Sequence, residues 1–277
     1  MPPHALRVFA FRPAHPGRPF ASHSFERWLL TGLEQPQRLA AIAAAAVLLP
    51  AWGRELRRTA LGRQHGPLLH ELRLRLRRPE PHTLHVFFTE SQVGGATAVV
   101  LLAGGTQPRG VRDTGVLPGL GDARWIQREL VGCATAGEAL SVLSPDSSEA
   151  ISAEYPRTDS PARAGPLLIG LPALRDAVVR EEGSGRAAGA VQLLTWEQRF
   201  ALASSLLRAR SARRLTQRRL AGLSGVPQDT ISELENGQAN PSLSTVAALA
   251  AALGVEMTLR LDERDDAPAG RDDEPAR

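Results

Sequence analysis

The sequence predicts an α+β chain: a small unit of helices and antiparallel sheet, then an irregular linker, then an all-helical unit. Apolar and charged residues alternate strictly over 69–77, which predicts a half-buried strand because successive side chains of a strand point to opposite faces. Apolar residues recur at helical spacing over 215–253, which predicts short packed helices. A long stretch rich in proline, glycine and serine separates the two patterns.

The first unit, residues 1–110, is predicted to contain two helices followed by a meander of strands. One helix opens at Phe25, and an alanine- and leucine-rich helix covers 37–49. The alternating strand is followed by apolar strands over 83–89 and 96–103, and the glycine pair before residue 96 supplies a hairpin turn. Residues 6–11 are a candidate first strand.

The middle and the tail give weaker patterns. No sustained period appears over 111–190, so we predict a poorly structured linker there. Residues 256–262 alternate and predict a short strand, which either pairs across a dimer or packs back onto its own unit. The charged tail, 263–277, lacks apolar anchors and is predicted to be disordered.

The last unit, residues 191–262, carries two short helical patterns that meet at Gly225, where a tight turn favours a residue that accepts positive φ. The first helix is predicted over 216–224, with the Thr216 hydroxyl as its cap. The second is predicted over 227–235, with Pro227 in its first turn and Asn236-Gly237 at its end.

Two further helices are predicted to flank this pair. Gln198 follows Thr195 at capping-box spacing, so a longer helix is predicted to begin at Thr195. After the pair, residues 240–243 form a turn and a cap, and another apolar stripe follows until Gly254 stops it. The C-terminal unit is therefore predicted to be a compact group of helices.

Residues 200–253 resemble the helix-turn-helix domain of the phage repressor and Cro type, the XRE family. The matching residues are Arg210, Leu215-Thr216-Gln217, Leu220-Ala221, Gly225-Val226, Ile231, Leu234-Glu235-Asn236-Gly237, Pro241, Leu249-Ala250 and Leu253-Gly254. The resemblance implies a palindromic duplex-DNA operator, a homodimer, and a second helix that reads bases in the major groove.

The resemblance also assigns the site residues. The matched positions are Gln228, Asp229 and Glu233 facing base edges, Thr230 and Ser232 beside them, and Gln217 and Asn236, which hold phosphates and orient the readers. Amides bond bidentately to adenine and carboxylates accept from cytosine, which fits these residue types. Arg210 matches an arginine that pairs with the glutamate at Glu235, a structural pair.

Two of the matched readers are carboxylates, which repel phosphates. A cluster of arginines either offsets this repulsion through backbone contacts or forms a solvated helix face. Its members are Arg208, Arg213, Arg214, Arg218 and Arg219. Backbone contact is the interpretation favoured by the position of the cluster beside a groove reader, and Arg218 is assigned to the DNA-binding site.

Residues 6–109 resemble the RelE/ParE-type toxins, most closely their HigB-like branch. The matching residues are Phe25-Glu26, Trp28-Leu29, Val47-Leu48-Leu49, Gly53, Leu56, Glu71-Leu72-Arg73, Leu84-His85-Val86-Phe87-Phe88, Val99-Val100-Leu101-Leu102 and Gly104-Gly105-Thr106. Such toxins cleave messenger RNA, usually on the ribosome, with basic side chains that stabilise phosphate charge. The chain also has the toxin-before-antitoxin order of HigB-type systems.

The catalytic residues implied by this second resemblance are Arg73 and His85. Arg73 matches the family's arginine in the first meander strand. His85 stands where the family carries arginine, and Gln107 where it carries lysine; a histidine could act as a general acid or base. The alternative for the strand arginines is a solvent-exposed face, or a face that an acidic partner covers.

Composition limits the classes of protein to which the chain can belong. The 277 residues carry a net charge of +4 and contain no lysine, so arginine alone raises the pI to 10.6. A single cysteine, Cys133, excludes an internal disulfide, and no metal-ligand spacing appears, so no cofactor or metal is expected. The N-terminus has no signal-peptide pattern and residues 39–49 are too short to cross a bilayer, so we expect a cytoplasmic protein.

Together these patterns predict a DNA-binding regulator of toxin–antitoxin type that represses its own promoter. Two alternatives stay open: an endoribonuclease toxin, and a plain XRE-family regulator whose N-terminal unit senses or dimerises. Because family-like sequence lies on both sides of the linker and none within it, a frameshift that joined two reading frames is a further hypothesis.

Overall fold

The computed structural model describes residues 6–12, 24–77, 81–108, 117–135, 141–143, 167–181 and 186–258. The strands are β1 (Arg7–Arg12), β2 (Gly62–Gln64), β3 (His70–Leu76), β4 (His82–Val93), β5 (Ala96–Pro108), β6 (Ser141–Leu143) and β7 (Leu167–Gly170). The helices are α1 (Phe25–Thr31), α2 (Gln35–Trp52), α3 (Leu120–Thr135), α4 (Leu171–Glu181), α5 (Arg186–Ala212), α6 (Gln217–Ser224), α7 (Gln228–Glu235) and α8 (Leu243–Leu253). The α+β class is confirmed.

The strands form one seven-stranded mixed sheet in the order β2-β3-β4-β5-β1-β7-β6. The predicted meander is present, with β3 antiparallel to β4 and β4 antiparallel to β5. β1 lies parallel to β5, so residues 7–12 do join the sheet as the candidate first strand. Leu72, Leu74 and Leu76 are all buried, as the alternation of β3 predicts.

Apolar side chains cover both faces of the sheet. One face packs on α1, α2, α4 and α5 in a core that includes Leu72, Val86 and Phe200. The opposite face packs on α3, where Ile126 and Leu130 meet Phe87 and the second set of sheet side chains. Burial on two faces explains why β5 is apolar throughout its middle, where a half-exposed strand would alternate.

The prediction of a poorly structured linker over 111–190 is wrong where the structure describes it. α3 covers one face of the sheet, β7 pairs antiparallel with β1, and α4 contributes Leu174 and Val178 to the core. These elements contain apolar runs, but long stretches rich in proline, glycine and serine separate them, so their order is set by tertiary contacts with the sheet and α2. This segment completes the sheet and contributes to both cores, and the frameshift hypothesis stays a prediction.

The helix predicted to start at Thr195 begins instead at Arg186 and runs for 27 residues. Thr195 lies inside α5, and its hydroxyl donates to the Val191 carbonyl at 3.0 Å rather than capping a terminus. Leu207 of α5 belongs to the sheet-side core and Leu206 to the core of the C-terminal helices. A single rigid helix therefore passes through both units.

α2 is the central helix of the larger core. With the following turn, Gln35–Arg58, it is long and apolar enough by composition to cross a bilayer, and 61% of its apolar window is buried within the fold. Its alanines allow close approach of the sheet on one side and α5 on the other. The predicted tail, 263–277, and most of the predicted strand over 256–262 lie outside the described residues.

Candidate nucleic-acid interface

The turn between α6 and α7 follows the predicted geometry closely. The Thr216 hydroxyl accepts from the Arg219 amide at 3.1 Å and caps α6, and Gly225 adopts a left-handed φ of 71°. Pro227 is the residue before α7 rather than part of its first turn, so the predicted start was one residue early. The fixed φ of proline suits both the residue before a helix and the first helical residue, so the sequence alone did not distinguish these two positions.

The helix pair is held by a small apolar core and a buried ion pair. Ile231 and Leu234 of α7 pack with Leu249 and Leu253 of α8. Glu235, with only 2% of its side chain exposed, accepts from Arg210 Nε at 2.5 Å and Nη2 at 2.8 Å. This bidentate geometry fixes α7 against α5.

Gln217 and Asn236 are engaged within the unit. The Gln217 amide donates to the second oxygen of Glu235 at 2.7 Å. This hydrogen bond links α6 to the ion pair that Glu235 of α7 forms with Arg210. The buried Asn236 amide donates to the Ser232 carbonyl at 2.6 Å and closes the end of α7. Both side chains thus help to hold α7 in place, and Gln217 remains partly exposed.

The remaining matched residues form one outward face of α7. Gln228 and Asp229 are exposed at its first turn, and Glu233 lies one turn further on. Thr230 and Ser232 are partly exposed beside them. Within the described residues, neither Gln228 nor Asp229 has a side-chain hydrogen bond, so both can bond an external partner.

Comparison with known proteins agrees with this geometry. A helix-turn-helix family model matches residues 206–259. An uncharacterized HTH-type transcriptional regulator of Sinorhizobium fredii is 35% identical over 74 residues, which are 27% of this chain and 96% of that protein. This chain belongs to the HTH-type transcriptional regulators.

A second relative extends the comparison. An uncharacterized HTH-type transcriptional regulator of Haemophilus influenzae is 39% identical over 61 residues, which are 22% of this chain and 62% of that protein. The chain thus spans less than two thirds of the length of this relative. No solved structure matches the regulator. The family match lies in the C-terminal unit, so the toxin resemblance upstream stays a prediction.

The five arginines of the predicted cluster lie in different surroundings in the regulator. Arg218 and Arg219 are exposed on α6, the helix before α7. Arg208 instead donates to the Ala51 carbonyl at 2.7 Å and lies over the Trp52 ring, so it joins the two units. Arg213 donates to carbonyls of its own unit, and Arg214 is exposed in the turn after α5.

The two residues proposed for RNA cleavage are neighbours in the sheet, but His85 is buried, whereas Arg73 is partly exposed. Arg73 and His85 are cross-strand partners of β3 and β4. The His85 side chain is 3% exposed, with Nδ1 2.6 Å from Glu71 Oε1 and Nε2 3.2 Å from Gln107 Oε1. Arg73 donates to the Ala60 carbonyl at 3.1 Å. Both ring nitrogens of His85 are therefore already bonded.

The centre of this cluster is Glu71, which the sequence analysis did not single out as a site residue. Its second oxygen lies 2.5 Å from His65 Nε2. Burial raises the pKa of the Glu71 carboxyl, but hydrogen bonds from His85 and His65 outweigh burial and hold this pKa below its ordinary value. Within the described residues, no three His, Cys, Asp or Glu side chains are arranged to hold a metal ion.

Proposed function

We propose that this regulator binds duplex DNA sequence-specifically through α7 and represses its own promoter. The observation that carries the proposal is the exposed, unbonded pair Gln228 and Asp229 at the first turn of a helix that a buried ion pair fixes in place. Recognition helices contact base edges mainly through such N-terminal residues.

The chemistry of this face determines what it can read. The Gln228 amide can bond bidentately to an adenine, and the Asp229 carboxylate can accept from cytosine N4. Arg218 and Arg219 lie on the neighbouring helix, where they can contact the phosphates on either side of the groove. Gln217 acts indirectly, since it holds Glu235 and thereby orients α7.

We infer that the regulator acts in the cytoplasm as a homodimer on a palindromic operator. A single α7 of 8 residues covers only a few base pairs, and a two-fold pair of such helices doubles the sequence that is read. The short apolar segment after α8 supports this, because Val255 and Met257 are exposed beside a cavity between α5 and α8 of about 280 Å³.

The toxin–antitoxin assignment rests on the sequence resemblance of the N-terminal unit and on its position before the DNA-binding unit. The geometry favours a regulatory chain over a ribonuclease, because His85 is buried and doubly hydrogen-bonded. The N-terminal unit is then a fixed structural part of the regulator, and messenger RNA is not its main partner.

The experiment that tests the proposal compares full-length wild-type protein with Gln228→Ala on the regulator's own promoter fragment. We expect the substitution to weaken binding by about 1–3 kcal/mol and to relax the base preference at one position. Gln198→Ala, an exposed glutamine on α5, is the matched control and should bind like wild type. Unchanged affinity and preference in Gln228→Ala would contradict the assignment of α7 as the reading helix.

A further inference from the structure

The DNA-binding unit is firmly attached to the sheet unit. α5 passes through both cores, the Trp52 indole donates to Ser204 at 2.9 Å, and Arg208 donates to Ala51 at 2.7 Å. Arg175 and Glu197 add an ion pair at 2.7 Å between α4 and α5. These contacts hold the sheet against the unit that carries α7.

One strand of the sheet reaches the reading helix. Arg77, just after β3, forms an ion pair with Glu233 of α7, although the two residues are 156 positions apart in the sequence. The Arg77 side chain remains 55% exposed, so part of its guanidinium faces solvent beside α7. The N-terminal unit thus contributes a cation to the edge of the reading face.

Arg77 is the last of a row of arginines. Arg73, Arg75 and Arg77 occupy every second position and therefore point to one face of the sheet. Neighbouring arginines of the row are about 7 Å apart along the chain. Arg75 is exposed and has no hydrogen-bond or ion-pair partner among the residues that the structure describes. The acidic residue of the same row, Glu71, is buried and pairs with His65 and His85, and among the described residues it forms no ion pair with the arginines of the row.

We propose that Arg75 and Arg77, which we call the strand arginines, form a second DNA-contacting element that binds backbone phosphates beside the bases read by α7. This inference rests on the proposed function. A row of cations continuous with the reading helix matches the charge of a DNA backbone. Arg77 also neutralises Glu233, which offsets the repulsion between the carboxylates of α7 and the phosphates.

The test measures DNA affinity against salt concentration for the full-length protein, with a short mixed-sequence duplex as the probe. Phosphate contacts act on every sequence, so the operator need not be known. We expect Arg75→Ala/Arg77→Ala to weaken binding to all duplexes alike and to reduce the salt slope by about 1.8, or about 0.9 for each lost contact. Arg128→Ala removes an exposed arginine from α3, beside Leu68 and Leu69 at the far end of β3, and should leave both quantities unchanged.

Three outcomes would overturn the inference. An unchanged salt slope in the double variant would show that the strand arginines do not touch phosphates. Tighter DNA binding by the double variant would show that Arg77 blocks the access of DNA to α7. Lost affinity for a single-stranded RNA of equal length, with DNA binding intact, would assign the row to RNA.

Failure of the proposed function would look different. If that function fails, the wild-type protein itself binds neither the promoter nor the mixed duplex. The inference fails alone if wild type binds both, Gln228→Ala is weakened, and Arg75→Ala/Arg77→Ala equals wild type. Thermal unfolding of each variant checks folding, and the exposure of both arginines predicts little change.

Discussion

Each half of the regulator contains a buried carboxylate, and the two are held by different partners. In the DNA-binding unit, Glu235 lies against Arg210 and receives a further bond from Gln217. In the sheet unit, Glu71 lies between His65 and His85. Arginine as a residue type stays charged at every pH at which proteins fold, whereas histidine changes its charge near neutrality. α7 is thus held through a guanidinium and an amide, and the sheet cluster is held through two imidazoles.

The largest expected effect comes from removing the carboxylate of the Arg210–Glu235 pair. Glu235→Ala leaves Arg210, whose side chain is only 15% exposed, without its anion, so we expect a loss of about 3–5 kcal/mol in the free energy of unfolding. Urea unfolding of the full-length protein, followed by far-UV circular dichroism, measures it.

Glu233→Ala is the matched control, since this glutamate lies on the same helix and forms a more exposed ion pair with Arg77. Its expected cost is about 0–1 kcal/mol, the usual contribution of a surface pair. Equal losses in the two variants would contradict the view that burial makes the Glu235 pair the main fastening of α7.

Acidification should affect the sheet unit first. Burial lowers the pKa of His70 below its ordinary value of 6.5, with neighbouring arginines adding to this and Glu90 opposing it. Below pH 6.5 the unfolded chain binds a proton at His70 that the folded chain does not bind. The free energy of unfolding therefore falls as the pH drops from 6.5 toward the lowered pKa. Glu71, whose pKa is also lowered, adds a second loss that begins below pH 4.5 and is complete once the pH falls below its folded pKa.

Urea midpoints across this pH range measure the effect in wild type and in His70→Gln, which no longer titrates at that position. We expect a shallower decline between neutrality and pH 5 in the variant, because neutral glutamine gives the unfolded state no proton to gain. A decline equal to that of wild type would show that His70 is not the group responsible.

The two units also differ in how much the sequence could predict. In the DNA-binding unit, Thr216, Gly225 and Gly254 are local signals, and each cap or turn depends on a few adjacent residues. In the sheet unit the alternation of β3 was equally local, and that strand was predicted correctly.

The errors have a common cause. α3, β7 and α4 owe their order to contacts with residues far away in sequence, and Thr195 is helical because α5 extends upstream of it. Glu71 shows the same limit at the level of a site. Its place in an alternating strand predicts a solvent-facing side chain, but His65 and His85 enclose it only once β2, β3 and β4 have paired.

The smallest expected effect tests whether the two units unfold together. Ser204→Ala removes the acceptor of the Trp52 indole N–H, and an orphaned buried donor costs about 1 kcal/mol or somewhat more. Ser205→Ala is the control, because its hydroxyl is exposed and bonds only to its own helix at Ala201. If the units form one body, Ser204→Ala lowers a single unfolding midpoint seen equally by circular dichroism and by tryptophan fluorescence. Two separated transitions would mean that α5 does not couple the halves, and the fixed position of the strand arginines beside α7 would then lose its basis.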